Sequence, residues 1–514
     1  VFDLIIHLEL MNYFSITGRL RLININDGNL RIRGWDWGPK LLTSGPYLPI
    51  YLESYDARVD DIHVVTNLSD GLESAELSIG IDLVGISRAT HVEVTILDDV
   101  GNTVFSDHVK VQGTSTVVSK SITQPKLWWP NGHGVQTLYT TKAQLLSENG
   151  SALDTKTTSF GIRKIELIQR PFSNAPGKTF MFSVNNHAIF AQGGNWIPAD
   201  MMLPNITREK YFEWMELAAH NNLNMIRVWG GGIFETEDFL DACDRYGLLV
   251  WHDFAFACGH FPVRAEFLTS VHEEAVVQTK RMRSRACLAL LCGGNEDFML
   301  QDMFRPGSYD HHDVKGPFLD KPFEWREIYL GVLPKVVKEV APGVQYWPSS
   351  PWGGDTANDL TVGDVHQWDG KSISIFSRPQ AKLTTSQVWH GKQLPYQQYS
   401  TLSGRFISEF GMHGFPSMRT VADFITSPED AHPQSKAIDC HNKGHGAHSR
   451  IAKYLAENFR YSTKLEDFVY ASQLMQSEAY GYALRDWKRK FGGRGKEECA
   501  GAIIWQVSTV LVSC

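Results

Sequence analysis

The chain reads as a multidomain protein, an immunoglobulin-like β sandwich followed by a (β/α)8 TIM barrel, and three observations predict this. Its 514 residues exceed the roughly 250 to 300 at which one hydrophobic core stops growing. From Ser54 to about Leu167, segments such as HVEVTILD and STVVSKSI alternate apolar and polar residues, and Asn, Asp and Gly clusters separate them at sandwich spacing. Beyond Lys178 the pattern changes to short apolar runs alternating with stretches whose apolar residues recur at three and four.

The apolar runs are the expected barrel strands: 188–194, 224–230, 248–253, 288–295, 344–350, 361–368, 405–410 and 502–506. The resemblance given below guides the count of eight. Near-continuous apolar strands are buried on both faces, which requires helices between them, and 207–222 and 465–490 have the matching amphipathic spacing. Residues 1–53 are too short for a domain, and 33–52 are rich in aromatics and turn formers.

Composition narrows the function. Fifty-seven acidic against 49 basic residues give a net charge of -8, which offers no electrostatic attraction to nucleic acid or an anionic membrane. No apolar run reaches the roughly 20 residues that span a bilayer. The opening VFDLIIHLEL lacks a basic start and a small-residue cleavage site, so it does not read as a signal peptide. Sequons at Asn67, Asn149 and Asn205 pull weakly toward secretion, so compartment stays open between cytoplasm and outside. Seven scattered cysteines, without a CxxC pair, predict a mostly reduced set. Fifteen tryptophans, many beside Gly, Pro, Asn or Asp, suit walls on which sugars stack, and about half of them suit ordinary cores.

Two glutamates carry the chemistry. Glu296 in LLCGGNEDF (290–298) and Glu409 in GRFISEFGMHGF (404–415) each close a strand-type run and precede loop formers. Both carboxyl groups are therefore expected at strand C-terminal tips, where a β/α barrel keeps its active site. Glycosidic bond cleavage needs such a pair, one to protonate the leaving oxygen and one to attack or to activate water. The glycines of VWGGG (228–232) have no Lys-Ser/Thr after them and are read as letting a sugar approach the backbone, not as a phosphate loop. HNKGHGAHSR (441–450) lacks a carboxylate partner and helical two-histidine spacing, so it is read as a solvated helix start and not as a metal site.

NMIRVWGGGIFE (224–235), LLCGGNEDF, SEFGMHGFPSM (408–418), LWWPNGHG (127–134), GGNWIPADMM (193–202) and GWDWGPK (34–40) together resemble the β-mannosidases of glycoside hydrolase family 2. The resemblance runs from about Asn29 to Gln506. It implies a jelly-roll N-terminal domain, of which 1–53 would be a remnant, then an immunoglobulin-like domain over 54–167 and a catalytic barrel over 168–514. It implies a retaining exo-acting enzyme on β-mannoside oligosaccharides that needs no metal or organic cofactor, with Glu296 as acid/base and Glu409 as nucleophile. Asn295 would meet the 2-hydroxyl, Arg227 would hold Glu409 anionic, and Trp229 would line the sugar site. Asp36 and Trp37 would reach the distal hydroxyls, with Trp352, Trp368, Trp389 and Trp505 as candidate walls. A β-galactosidase or β-glucuronidase on the same fold, or an inactive sugar-binding or scaffold fragment, are the alternatives.

The chain departs from that family in three places: most of the N-terminal domain is missing, 370–387 interrupts the sequence before VWHG, and 507–514 replace the usual continuation after Trp-Gln. Gly370-Lys371-Ser372 and Val507-Ser508 can be encoded by splice-donor-like strings, so both segments are expected to be translated introns, one an exposed loop and one without a packed role. The eighth strand would then lack its covering helix, which predicts an exposed strand face and marginal stability.

Overall fold

The computed structural model describes residues 5–7, 38, 51–53, 55–86, 89–173, 175–368, 389, 393–444, 446–492 and 496–508. Asp36, Trp37, most of 1–53 and the 370–387 insertion lie outside the described residues. At the start, β1 (Ile5–His7) pairs antiparallel with β2 (Tyr51–Glu53).

Period-two alternation produces two antiparallel sheets next. One has the order β3 (Arg58–Leu68), β4 (Ser74–Val84), β7 (Ser115–Thr123). The other runs β6 (Thr103–Lys110), β5 (Ala89–Leu97), β8 (Tyr139–Ser147), β9 (Ala152–Phe160). Leu77, Ile79 and Ile81 of the first sheet and Val92, Val94 and Ile96 of the second share one core, because successive side chains on a strand point to opposite faces. Arg163 and Trp128 lock this unit onto the next: Arg163 donates to the carbonyls of Arg285, Ala286 and Leu288, and Trp128 Nε1 donates to Asp244 O.

A short antiparallel sheet of β10 (Ile165–Ile168), β11 (Met181–Val184) and β12 (His187–Ile189) follows. Sequence patterning did not separate it from its neighbours. Its Phe180 and Phe182 pack among Trp251, Phe406 and, for Phe180, Trp347, with ring centroids 4.8–6.5 Å apart.

All eight expected barrel strands form: β13 (Ala191–Trp196), β14 (Met225–Val228), β15 (Leu249–Asp253), β16 (Leu288–Cys292), β17 (Gln345–Trp347), β18 (Val365–His366), β19 (Ile407–Phe410) and β20 (Gly501–Ile504). They make one parallel sheet in the order β17-β16-β15-β14-β13-β20-β19-β18. Since β13 pairs with β20, the sheet curls into a TIM-barrel-like body. Among the described residues no ladder joins β17 to β18. Side chains bridge that seam instead, where buried Asp364 accepts from Trp347 Nε1 (2.8 Å), Ser350 Oγ (2.6 Å), Ser408 Oγ (2.6 Å) and the Trp352 backbone N–H (3.1 Å).

Helices sit where the spacing placed them. For α1 (Arg208–His220) the Thr207 hydroxyl accepts from Lys210 N, and for α2 (Glu237–Tyr246) Thr236 accepts from Phe239 N. Gly247, at φ 72°, ends α2 in the left-handed conformation that favours glycine. Two more matter below: α3 (Asp297–Phe304), straight after Glu296, and α4 (Leu465–Lys490), which matches the expected 465–490. Among the described residues no helix is long and apolar enough to cross a membrane.

The expected exposure of the eighth strand is not found. Ala502 and Ile503 are fully buried, Phe406 packs over Gly501, and α4 covers the strand from outside. Nor are Val507 and Ser508 without a packed role. Val507 lies against Gly194, and Ser508 Oγ accepts from Ile197 N and donates to Ile197 O. Hydrogen bonding to the β13 tip orders these two residues whatever their origin. Five described cysteines are buried free thiols, and Cys440 is disulfide-bonded.

Asp364 makes a direct test of the seam. Asp364→Ala strands four donors at once, and a buried unmade hydrogen bond costs about 1–3 kcal/mol. Urea unfolding is expected to show a loss of at least about 3 kcal/mol in the barrel transition, read as a lower midpoint at unchanged slope.

Candidate active site

The strand C-terminal tips converge on one guanidinium. Register sets Asn195 of β13 beside Arg227 of β14, and His366 of β18 beside Glu409 of β19. Asp253 ends β15. Beyond β16, Gly293 and Gly294 carry the chain to Asn295 and Glu296; a Cβ on Gly293 would lie 2.2 Å from Pro348 O, so only glycine fits that close approach. Glu296 adopts φ 61°, ψ 8°, a left-handed backbone rare outside glycine and costing about 1–3 kcal/mol, and it aims the carboxyl into the mouth.

Arg227 is fully buried, and four side chains meet it. Nη1 donates to Asn195 Oδ1 (2.9 Å) and Glu409 Oε1 (2.8 Å), and Nη2 donates to Asp253 Oδ2 and Asn295 Oδ1 (both 2.7 Å). Asp253 also accepts from Trp251 Nε1 and Gly230 N. Glu409 Oε2 accepts from Trp368 Nε1 at 3.0 Å. Glu296, with a side chain 14 % exposed, faces His366 Nδ1 through Oε1 (2.7 Å) and the Cys258 thiol through Oε2 (3.3 Å). One carboxyl oxygen of Glu296, one of Glu409 and a ring nitrogen of His366 lie within 4.8 Å of one another.

Burial is the largest influence on these charges. It pushes Glu409 above the ordinary carboxyl value, as does the neighbouring Glu296, while His366 and Arg227 pull it down; the net direction is up. Asp253 is likewise raised by burial against the pull of Arg227. Asp253 and Glu409 in turn hold the Arg227 proton more firmly, despite its own burial. Arg227 pairs directly with two carboxyl groups, Asp253 and Glu409, and Glu296 adds a further negative neighbour beside Glu409. Asp253 and Glu409 have both oxygens occupied by N–H donors, which suits anions. Three ligating atoms within 4.8 Å are enough in number for a metal ion. The donor set argues against one, since Arg227 and Trp368 already occupy both Glu409 oxygens and a cation would have to displace a guanidinium.

Known proteins resemble this chain over most of its length. The profile described as Glycosyl hydrolases family 2 matches residues 57–163. Beta-mannosidase B of Thermothelomyces thermophilus is 41 % identical over 483 residues, covering 92 % of this chain and 54 % of that protein. Residues 57–163 thus match a family 2 glycosyl hydrolase domain, and the chain is similar to beta-mannosidase B along 92 % of its length. A solved beta-D-mannosidase from Dictyoglomus thermophilum superposes with a TM-score of 0.79 at 34 % identity, over 93 % of this chain and 55 % of that one. An exo-chitosanase from Amycolatopsis orientalis, at 17 % identity and a TM-score of 0.65 over 93 % of this chain and 53 % of that one, shares the fold. The chain thus spans about half the length of the relatives it matches, 54 % for the first.

The tryptophans separate by place. Trp368 touches Glu409 directly. Trp229 and Trp505 meet edge to face at 5.2 Å in a small cluster with Cys258 and Trp368. Trp352 packs on Trp347 at the β17–β18 seam. Trp389 is 2 % exposed in a separate core, against Tyr454, His413 and the Arg450 guanidinium, so it is a packing residue there. The VWGGG glycines are crowded by protein: a Cβ on Gly231 would meet the Trp229 ring at 2.0 Å, and one on Gly230 would meet Phe256 O at 2.3 Å. They admit a folded-back indole and a neighbouring strand, not a sugar. The 441–450 segment is not simply solvated either. His441 stacks on Phe424, His448 stacks on Phe468, and residues 441–444 wall a cavity of about 570 Å³ that also touches Met412, His413, Gln476, Tyr480 and Trp505.

Asn195, Asp253, Cys258 and His366 were not singled out from sequence. GGNW, HD and VHQW put polar residues at the ends of apolar strands, and that was the available signal. Removing the central cation tests the arrangement. Arg227→Met leaves two buried carboxylates without their partner, and breaking a buried pair from one side costs about 3–5 kcal/mol. Guanidinium unfolding of the variant is expected to show a loss in that range, and a loss below 1 kcal/mol would speak against the cluster.

Proposed function

We propose that this chain is a retaining exo-β-mannosidase, removing terminal β-linked mannose from short oligosaccharides, with Glu296 as acid/base and Glu409 as nucleophile. The observation that carries the reading is the separation of the two carboxyl groups, whose nearer oxygens lie within 4.8 Å. Retention uses carboxyl groups about 5–5.5 Å apart, whereas inversion needs about 6.5–9.5 Å to seat a water between them. The names of the relatives support the sugar.

In the first step a Glu409 oxygen bonds to the anomeric carbon as the bond to the leaving oxygen breaks, and Glu296 gives its proton to that oxygen. In the second, Glu296 takes a proton from water, whose oxygen displaces Glu409 from the same carbon. Asn295 Oδ1 is held by Arg227 and its Nδ2 donates one N–H to Cys258 Sγ, so the second amide N–H is the one to donate to the sugar 2-hydroxyl. Trp368 and Trp505 supply aromatic walls, Trp229 is 1 % exposed and backs Trp505 from behind, and the 570 Å³ cavity beside Trp505 suits the remainder of the glycan. The reading also treats 54–167 as an immunoglobulin-like domain, 168–514 as the (β/α)8 catalytic barrel and 1–53 as part of a jelly-roll domain holding Asp36 and Trp37.

A chromogenic aryl β-mannoside tests this. The wild-type chain should hydrolyse it with β-mannose as the first product by proton NMR. Glu296→Gln should lower kcat by about 100- to 10,000-fold and Glu409→Gln at least as much. Sugar binding without turnover would favour an inactive binder. Because Glu409 must be ionised and sits above the ordinary 4.5, kcat/KM should fall as pH drops through a value higher than 4.5, and full activity below that pH would contradict the assignment.

A further inference from the structure

His366 has no part in the two glutamates' proposed roles, yet it touches both. The ring is buried at the tip of β18, with Nδ1 2.7 Å from Glu296 Oε1 and 3.5 Å from Glu409 Oε2, and Nε2 3.1 Å from Ser350 Oγ. The far side of the ring decides its tautomer. Ser350 Oγ and Ser408 Oγ each lie 2.6 Å from Asp364 Oδ2, closer than their 3.2 Å to one another, so both hydroxyl protons point at that carboxyl. The Ser350 oxygen has only lone pairs left for His366, and Nε2 must therefore carry the ring proton.

Nδ1 then presents a lone pair to two carboxyl groups. At 2.7 Å a lone pair and an ionised carboxylate repel, and the contact needs a proton between them. Glu409 does not supply it, because its oxygens accept from Arg227 and Trp368. Glu296 does. We propose, resting on the function above, that His366 is a positioning residue that holds the transferable proton on Glu296, with Asp364 and Ser350 fixing the tautomer that makes Nδ1 an acceptor. The charged groups facing the ring are Glu296 beyond β16, Asp364 ahead of β18, Glu409 on β19 and Arg227 on β14. Burial outweighs the two carboxylates and pushes the ring down to about 4, which keeps it neutral at working pH. The proton stays on the carboxyl until an incoming glycosidic oxygen takes it, and water returns one to the same atom.

Two measurements test this. In the intact protein, 15N NMR of the imidazole should show Nε2 protonated and Nδ1 bare; the reverse pattern, or a doubly protonated ring, overturns the proposal without any variant. Kinetically, His366→Leu should move the alkaline limb of kcat/KM to lower pH. It should also cost at least 10-fold on a poor alkyl leaving group while leaving a dinitrophenyl β-mannoside, which needs no proton, within about 2-fold of wild type. His366→Asn, which puts an amide oxygen near the Nδ1 position, should recover part of the loss. An alkaline limb moving upward, or an equal loss on both substrates, overturns the inference alone. A wild-type chain that hydrolyses no β-mannoside overturns the function reading, and the inference with it.

Discussion

One buried guanidinium organises the catalytic end of this protein. Arg227 binds side chains from β13, β15, β19 and the bend after β16, so five neighbouring segments of the sheet end on a single cation. A planar fork of fixed donors suits this where a lysine would not, since two nitrogens can each serve two oxygens in defined directions. The arrangement is costly to desolvate and pays only if every member is present. That mutual dependence gives the cleft a fixed geometry.

The same charge imbalance sorts the glutamates. Glu409 lies deep, with both oxygens taken by N–H donors, and Glu296 lies nearer the mouth on a strained left-handed bend. Chemically identical side chains thus meet different surroundings, as the two proposed tasks, attack on carbon and proton transfer, require. Below them the barrel is filled by Phe180, Phe182, Trp251 and Phe406, and its open seam is bridged through Asp364. Asp364 therefore bridges the seam and, through Ser350, also reaches His366, the residue proposed to position the proton.

Much of the fold was legible because it rests on local pattern. Apolar runs, counted with the guidance of the family resemblance, marked all eight strands, and three-and-four spacing marked Arg208–His220 and Leu465–Lys490. The two glutamates and Arg227 stood out through motif resemblance. What sequence could not supply was register. His366 and Asp253 matter because of which residues lie opposite them, and nothing in VHQW or WHD states that. Trp389 and the VWGGG glycines were assigned to sugar contact because aromatics and glycines suit both ligands and tight packing, and only coordinates separate the two uses. The 441–450 segment read as solvated because the residues it packs with, Met412 and Tyr480 along the cavity and Phe468 against His448, are distant in sequence.

The central claim is that the Arg227-bound carboxylate becomes covalently linked to sugar while Glu296 controls the proton. Intact-protein mass spectrometry after treatment with a 2-deoxy-2-fluoro-β-mannosyl fluoride, followed by peptide mapping, reads this directly. The account predicts one fluorosugar per chain, on Glu409, and its disappearance in Glu409→Gln. Turnover of the reagent with no adduct, or an adduct on any other residue, would contradict it.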